Sequence, residues 1–294
     1  MGSGPVVKKK VSVHGSWAIG RQGLDRRFNN GEKYMIRKYL GPICLAVALL
    51  AGCGDSKDPV TQQRKNLKSD SPAVRAIAAE ELGKAGPAAA ASAADDLIVA
   101  IRDEHPEVRQ FAAQALGQVP PQQHPQVVPV LTASLADADP GVRRKAALAL
   151  SKIGPAAAPA AAQLAQMIRR GDAQDAWWAT EALGRLGPQA SAAISELMGQ
   201  LNASQARNRS QAAWALGNIG PSAAQAVGQL AALTGDDDAS VRQSAVTALG
   251  QIGPAAASAR AAVANCMADS IEAIRRSAAR AIKQIDGIKP GPDD

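Results

Sequence analysis

Apolar residues recur along the chain with a period of 33 or 34 residues. One position in each copy, here called the anchor, lies eight residues before a leucine or isoleucine. The anchors are Val74, Val108, Val142, Asp175, Asn208, Val241 and Ile274. A repeat of this length is typical of a solenoid, in which each copy packs only against its neighbours.

The apolar positions within each copy predict a helix. With the anchor as position 0, positions 4, 5, 8 and 11 are apolar or small, as in Ala146, Ala147, Leu150 and Ile153. This spacing places them on one face of an α-helix. Gly-Pro follows in most copies. We expect the glycine to adopt a left-handed cap, and the proline to stop the helix from continuing.

A second helix is predicted after each Gly-Pro, marked by apolar pairs such as Leu164 and Ile168. The sequence therefore predicts an all-α fold, an α-solenoid of seven antiparallel helix pairs over residues 58–287, with a flexible tail at 288–294. One pair cannot bury its apolar stripe alone, whereas stacked pairs share a continuous core. The polar first and last helices are expected to cap the ends.

The repeat lacks the ankyrin Thr-Pro-Leu-His signature and the tetratricopeptide Trp, Leu-Gly and Tyr pattern. Its copies share an aspartate, a short gap, Val-Arg, then Ala-Ala and Leu-Gly, as in Asp137 with Val142-Arg143. This pattern resembles HEAT repeats, and in particular the short bacterial HEAT-like units of phycobilisome lyases. The resemblance covers all seven copies. It implies an α-solenoid from a family that includes scaffolds, adaptors and a few enzymes.

The resemblance also implies a ladder of aspartate and arginine side chains that links successive repeats. An arginine fork near a helix start can satisfy a carboxylate and loop carbonyls together. We therefore assign these residues to structure and not to ligand binding. They are Asp103, Arg109, Asp137, Arg143, Asp236, Arg242, Asp269 and Arg275.

Positions 2, 3, 6 and 10 of the anchor-bearing helices are polar in most copies, but the central copies carry large apolar residues there. These are Phe111, Leu148, Trp177, Trp178 and Trp214. Because equivalent helices lie side by side, we expect an exposed apolar stripe on the concave face that binds a partner protein. The alternative is that Trp177 and Trp178 fill space beside a smaller anchor, while Trp214 shields an alanine-rich groove.

Residues 35–52 have the layout of a secretory signal, in which Arg37 and Lys38 precede an apolar run that ends in small residues. The run is too short for a transmembrane helix, which needs about 20 apolar residues. Its end resembles the lipobox of bacterial lipoproteins, formed here by Leu50, Ala51, Gly52 and Cys53. The resemblance implies cleavage before Cys53, acylation of its sulfur, and a tether over 53–57. The alternative is an ordinary signal peptide with a chance cysteine.

The position of this signal bears on the start codon and the location. Secretory signals normally begin near their basic residues, so we hypothesise that translation starts at Met35 and that 1–34 is a doubtful extension. Gly54 stands where an aspartate would, in the enterobacterial sorting pattern, favour inner-membrane retention. We therefore expect a protein of the bacterial cell envelope, lipid-anchored to the outer membrane and facing the periplasm.

Removal of the signal changes the charge and the cysteine content. The whole chain has 33 Lys and Arg against 26 Asp and Glu, but nine of the basic and two of the acidic residues lie in 1–52. The remainder has 24 of each, so its charge does not predict binding to nucleic acid. Cys44 leaves with the signal, and only Cys266 then accompanies Cys53. We expect Cys266 to be a semi-buried hydrophobic residue without a disulfide.

Motifs for catalysis or metal binding are scarce. His14, His105 and His124 are scattered without metal-ligand spacing, and no phosphate-binding Gly-x-x-x-x-Gly-Lys-Ser/Thr motif occurs. The run from Asp236 to Asp238 lacks the alternating ligands of a calcium loop, and it is typical of a helix start. No metal site or cofactor is therefore predicted.

These observations favour a lipid-anchored, monomeric, non-enzymatic scaffold or adaptor that binds a protein partner. Two alternatives remain open. One is a HEAT-like lyase or chaperone that acts on a chromophore-type ligand or a client protein, although export argues against a cytosolic tetrapyrrole pathway. The other is a nucleic-acid enzyme that uses the tryptophans with Asp175 or Glu181, as certain DNA glycosylases of this fold do. The neutral charge and the signal argue against it.

Overall fold

The computed structural model describes residues 58–170 and 172–288, and all regular secondary structure in these residues is helical. They belong to one compact unit that starts at Asp58. The proposed extension, signal, lipobox and tether, with Cys53 and His14, lie outside the described residues, as does the tail beyond Ile288. No described helix is long and apolar enough to cross a membrane.

The helices alternate between two layers, as the repeat predicts. They are α1 (Pro59–Asn66), α2 (Pro72–Lys84), α3 (Pro87–Ser92), α4 (Ala94–Ala100), α5 (Pro106–Leu116), α6 (Val127–Ser134), α7 (Pro140–Ile153), α8 (Ala161–Arg169), α9 (Ala173–Leu186), α10 (Ile194–Gln200), α11 (Ala206–Ile219), α12 (Val227–Leu233), α13 (Ala239–Ile252), α14 (Arg260–Asn265) and α15 (Glu272–Ile285). The anchor helices, which carry the anchors, are α2, α5, α7, α9, α11, α13 and α15. Each packs against the anchor helices of its neighbouring units. The predicted all-α solenoid is confirmed.

The core runs through the stack between the two layers. The leucines at position 8 of the first six units are fully buried, and they form one hydrophobic cluster with the apolar side chains of the companion layer. These leucines are Leu82, Leu116, Leu150, Leu183, Leu216 and Leu249. Each unit therefore depends on its neighbours to complete its core.

The Gly-Pro turns end the anchor helices with a different geometry from the one expected. Gly154 and Gly187 have φ values of 68° and 60°, but their ψ values are −140° and −135°, far from the left-handed helical region. This region is open mainly to glycine. The next residues form a 3-10 segment, such as Gly154–Ala160, before the companion α-helix begins. In that unit, Pro159 lacks the amide hydrogen that an α-helix would need there.

The anchor helices approach each other closely through small residues. Position 9 is glycine or serine in the first six units, and position 7 of the following unit is always alanine. A Cβ atom added to Gly117 would lie 2.7 Å from the Cα atom of Ala149, and one added to Gly250 would lie 2.9 Å from that of Ala281. Real Cβ atoms essentially never approach another heavy atom this closely, so the helix spacing requires glycine at both positions.

The substitution Gly117→Ala is expected to lower the free energy of unfolding by about 1–3 kcal/mol, because the new methyl group meets backbone atoms. Gly228→Ala provides the control. Gly228 also lies in a helix, but nothing stands within 4 Å of an added Cβ atom, so alanine is expected to stabilise by about 0.5–1 kcal/mol. Urea denaturation followed by circular dichroism measures both changes. Equal effects of the two substitutions would contradict this account of the helix spacing.

The first and the last unit each lack one of these small residues, at different positions. Position 7 of the first unit is Glu81 in place of alanine, and position 9 of the last unit is Lys283 in place of glycine or serine. Neither side chain fits a neighbour at the spacing described above. The first unit also leaves its anchor uncovered: Val74 is 37% exposed, whereas Val108 is buried, because no described unit precedes it. Neither end of the described stack therefore has the small residue at which successive units pack.

Candidate protein-binding surface

The arginines of the ladder connect successive units at every junction except the one between the fourth and fifth units. Arg109 donates from Nε and Nη2 to the Asp137 carboxylate, at 2.8 Å each. Its Nη1 donates to the backbone oxygens of Asp103 and Glu104 at 2.9 and 3.0 Å. The same arrangement joins Arg75 to Asp103, Arg209 to Asp236 and Arg242 to Asp269. Arg275, in the last unit, donates to the backbone oxygens of Asp269 and Ser270. Each guanidinium group thus satisfies backbone oxygens in the loop of its own unit. The arginines of all but the last unit also hold the aspartate of the neighbouring unit.

The aspartates of this ladder are held in their charged form. Burial alone would raise the pKa of Asp137, but hydrogen bonds from Arg109 and from the Asp139 amide outweigh it and lower that pKa. At Asp236 and Asp269, the hydrogen bonds from Arg209 and Arg242 are the main cause of a lowered pKa.

The ladder is therefore expected to lose its contribution to stability in acid. Because the pKa values of these aspartates are lower in the folded state, the contribution is complete above the ordinary value of 3.8 and disappears as the pH falls through the lowered values. The free energy of unfolding, measured in urea between pH 2.5 and 6, should decrease below about pH 4. Asp137→Asn should reduce this dependence. An unchanged pH profile in that variant would contradict the assignment.

Asp175 provides the carboxylate that links the third and fourth units. Its position among the anchors did not predict this role. Its side chain is 1% exposed and accepts hydrogen bonds from Arg143 Nε at 2.6 Å and Arg144 Nε at 2.7 Å. In the sequence, Asp175-Ala176 stands where most other units have an apolar anchor followed by arginine. The structure shows that the aspartate at the anchor receives the arginine of the preceding unit.

The junction between the fourth and fifth units, here called the 4–5 junction, has no ladder pair. Ala176 occupies the arginine position of the fourth unit, and Ala203 occupies the aspartate position of the fifth. Asn208, a buried polar anchor, donates from Nδ2 to the Ala173 backbone oxygen at 3.2 Å. A single amide hydrogen bond thus stands in place of a bidentate ion pair, and both ladder partners are lost together.

Three tryptophans line this same junction, and we call them the tryptophan cluster: Trp177, Trp178 and Trp214. The rings of Trp177 and Trp178 are 4.6 Å apart and nearly perpendicular, an edge-to-face arrangement. The Arg207 guanidinium of the fifth unit lies 3.9 Å from the centroid of the Trp177 ring. The Trp214 ring reaches back over Gly184 of the fourth unit, and Arg185 lies 5.6 Å from its centroid. Aromatic and cation–π contacts therefore bridge the units here.

The predicted apolar stripe is less exposed than expected. Phe111, Leu148, Trp177, Trp178 and Trp214 are all half-buried, and Phe111, Trp178 and Trp214 pack against the core cluster. The stripe is only partly accessible because positions 2, 3 and 6 border the seam between neighbouring anchor helices, where long side chains contact the next unit.

Sequence reasoning also missed one apolar side chain of the anchor-helix face. Ile77 is 49% exposed. It stands at position 3 of the first unit, the same position as Phe111 and Trp178, and this shared position was the available signal.

The described residues contain no group of three or more His, Cys, Asp or Glu side chains that could hold a metal ion. Asp238 caps α13 by accepting from the amides of Ser240 and Val241, which confirms the prediction of a helix start. Cys266 is buried, and burial raises the pKa of its thiol. Its sulfur lies 3.6 Å from the backbone oxygen of Thr234. Cys266 therefore has the environment of a packing residue and not of a nucleophile.

Comparisons with solved structures support the fold. An engineered protein is similar over 80% of this chain and 69% of its own, with a TM-score of 0.62 and 23% identity. The archaeal HEAT-like repeats protein from Thermococcus onnurineus NA1 matches over 79% of this chain and 99% of its own, with a TM-score of 0.54 and 14% identity. A designed armadillo repeat protein in complex with the peptide (KR)4 matches over 78% and 100%, with a TM-score of 0.51 and 15% identity.

No curated protein matches the chain in sequence. A family model described as HEAT repeats matches residues 58–123, 94–184 and 227–293, which together cover more than half of the chain. The chain belongs to the HEAT-repeat family.

Proposed function

We propose that this protein is a non-enzymatic, lipid-anchored scaffold of the bacterial cell envelope that binds a protein partner through its anchor-helix face. The observation that carries the proposal is the tryptophan cluster. Its three large aromatic side chains remain partly accessible on one face, with Arg207 and Arg185 placed over their rings. Tryptophan and arginine are the residues most enriched at energetic centres of protein interfaces.

The way in which the cluster is held supports binding. Trp177 is held between the Trp178 ring and the Arg207 guanidinium, so a partner would meet rings that are already ordered. Ordering side chains at an interface costs about 0.5–1.5 kcal/mol for each flexible group, and a preordered ring avoids most of this cost. The half-buried state of the rings is compatible with a binding surface for this reason.

Lipid attachment at Cys53 would place the stack beside a membrane. Asp58, the N-cap residue of α1, lies five positions after Cys53 in the chain. A fully extended chain spans about 3.3–3.6 Å per residue, which limits this distance to about 18 Å. The proposed outer-membrane location and the proposed acylation both rest on the sequence of the lipobox and on Gly54.

The partner hypothesis is tested with the double variant Trp178→Ala/Trp214→Ala. Crosslinking in native envelopes, followed by mass spectrometry, is expected to recover a partner with the wild-type chain and to lose it with the variant. Val99→Ala is the control, because Val99 is 73% exposed on α4 in the companion layer. Circular dichroism checks that the variants fold. Recovery of every partner by a folded double variant would contradict the proposal.

The anchor is tested separately with Cys53→Ser. We expect the wild-type chain to sediment with membranes and to carry an acyl modification, while the variant is released into the soluble fraction. An unmodified wild-type chain would remove the proposed location without affecting the partner hypothesis.

A further inference from the structure

We propose that the tryptophan cluster binds an extended, acidic segment of the partner, with carboxylates of that segment at Lys145 and Arg207. This inference rests on the proposed function, because it specifies the chemistry of the protein bound at that face. It comes from the charges around the cluster and from the spacing of the anchor helices.

The carboxylates near the cluster are already engaged within the chain. Asp175 is buried between two arginines. Asp172 accepts from the amides of Gln174 and Asp175, and it pairs with Arg144 at 3.3 Å. Glu181 pairs with Arg185 at 3.0 Å and accepts from Gln211. None of these acidic groups remains to neutralise another cation.

Three cations of the same face have no carboxylate partner within the described residues. Lys145 donates to the neutral amide oxygen of Gln114 at 2.7 Å. Arg207 is exposed and lies over the Trp177 ring. Lys152, at position 10 of α7, is also exposed. The surface on both sides of the tryptophan cluster therefore has an excess of positive charge, which favours an acidic partner.

The spacing of these groups fits an extended chain that crosses the anchor helices. Lys145 and Trp178 both occupy position 3, on the adjacent helices α7 and α9, and Arg207 lies at the start of α11. Neighbouring helices are about 8–10 Å apart, so Lys145 and Arg207 are separated by about 16–20 Å. An extended strand rises about 3.3 Å per residue and covers this distance in about five or six residues. A segment with acidic ends would thus place a central apolar side chain over Trp178.

A nucleic acid fits this face less well, although bases can stack on tryptophan. Its regularly spaced phosphates would pass the carboxylates of Asp172 and Glu181, which lie between the cations on α7 and α11. The chain from Cys53 onward also has equal numbers of acidic and basic residues, 24 of each. The observations favour an acidic peptide, and the experiment below includes DNA as a competitor.

The test uses tryptophan fluorescence of the full chain. From Cys53 onward the only tryptophans in the sequence are those of the cluster, and Trp17→Phe removes the fourth tryptophan from the full chain, so the fluorescence reports on the cluster alone. The probes are the acetylated heptapeptide Glu-Glu-Ser-Phe-Ser-Glu-Glu and its matched analogue with lysine in place of glutamate. We expect saturable binding of the acidic peptide and binding of the basic peptide that is at least about tenfold weaker. Comparable binding of the two peptides would overturn the inference.

Variants locate the binding site. Lys145→Gln/Arg207→Gln should weaken binding of the acidic peptide by about tenfold or more, whereas Lys65→Gln, which removes an exposed charge from the distant helix α1, should not. Circular dichroism verifies folding. Unchanged binding by the double variant, or displacement of the peptide by an oligothymidylate, would overturn the inference. If the acidic peptide does not bind, but Trp178→Ala/Trp214→Ala still abolishes partner capture, the inference fails while the proposed function stands.

Discussion

The substitution Asp175→Ala is expected to lower the free energy of unfolding by about 3–5 kcal/mol, because it removes one side of a buried ion pair. Asp175 is 1% exposed, and both of its oxygens accept from arginine side chains, those of Arg143 and Arg144. These guanidinium groups are only 16% and 26% exposed, so water replaces the lost carboxylate poorly. The cost arises from charges that are left without a partner, more than from the lost contact itself.

Asp172→Ala is the matched control for this prediction. Asp172 caps the same helix, α9, and also contacts Arg144, but its side chain is 48% exposed. Its loss is expected to cost about 1 kcal/mol. Urea denaturation, followed in parallel by circular dichroism and tryptophan fluorescence, measures both variants and detects partial unfolding of the stack. A change of less than about 1 kcal/mol in Asp175→Ala would show that Arg143 and Arg144 find other partners or sufficient water.

The substitution Leu216→Ala is expected to cost about 2–5 kcal/mol. Leu216 occupies position 8 of α11, is fully buried, and belongs to the core that continues through the whole stack. Truncation leaves a cavity that neighbouring units cannot close without moving apart. Val99→Ala removes apolar atoms from a side chain that is 73% exposed, and it should change stability by less than about 0.5 kcal/mol. Similar losses in the two variants would contradict the described core.

The repeat made the helices and the core predictable, because each requirement recurs in every copy. Leu183 and Leu216 occupy the same position of successive units, and both are fully buried. The Gly-Pro turns were predictable for the same reason, although ψ at Gly154 and Gly187 was not. A local preference for positive φ does not determine the path that the chain must take into the next helix.

The sequence shows which residues depart from the repeat, but it does not show what those residues do in the fold. Asp175 and Trp214 stand out in the sequence because other copies have different residues there. Their functions depend on partners more than 30 residues away in the chain, as between Arg143 and Asp175, and on how closely glycine lets two helices approach. The stripe is less exposed than expected because the exposure of a tryptophan depends on the neighbouring unit, which its own helical period does not describe.

Glu81 and Lys283 have a consequence for assembly. The contact between successive units repeats along the chain and is directional, so uncapped copies could add to one another end to end and grow into open filaments. Glu81 stands where the other units have alanine, and Lys283 stands where they have glycine or serine, so we expect neither end of the described stack to accept a second copy. The number of stacked units is then expected to be independent of protein concentration.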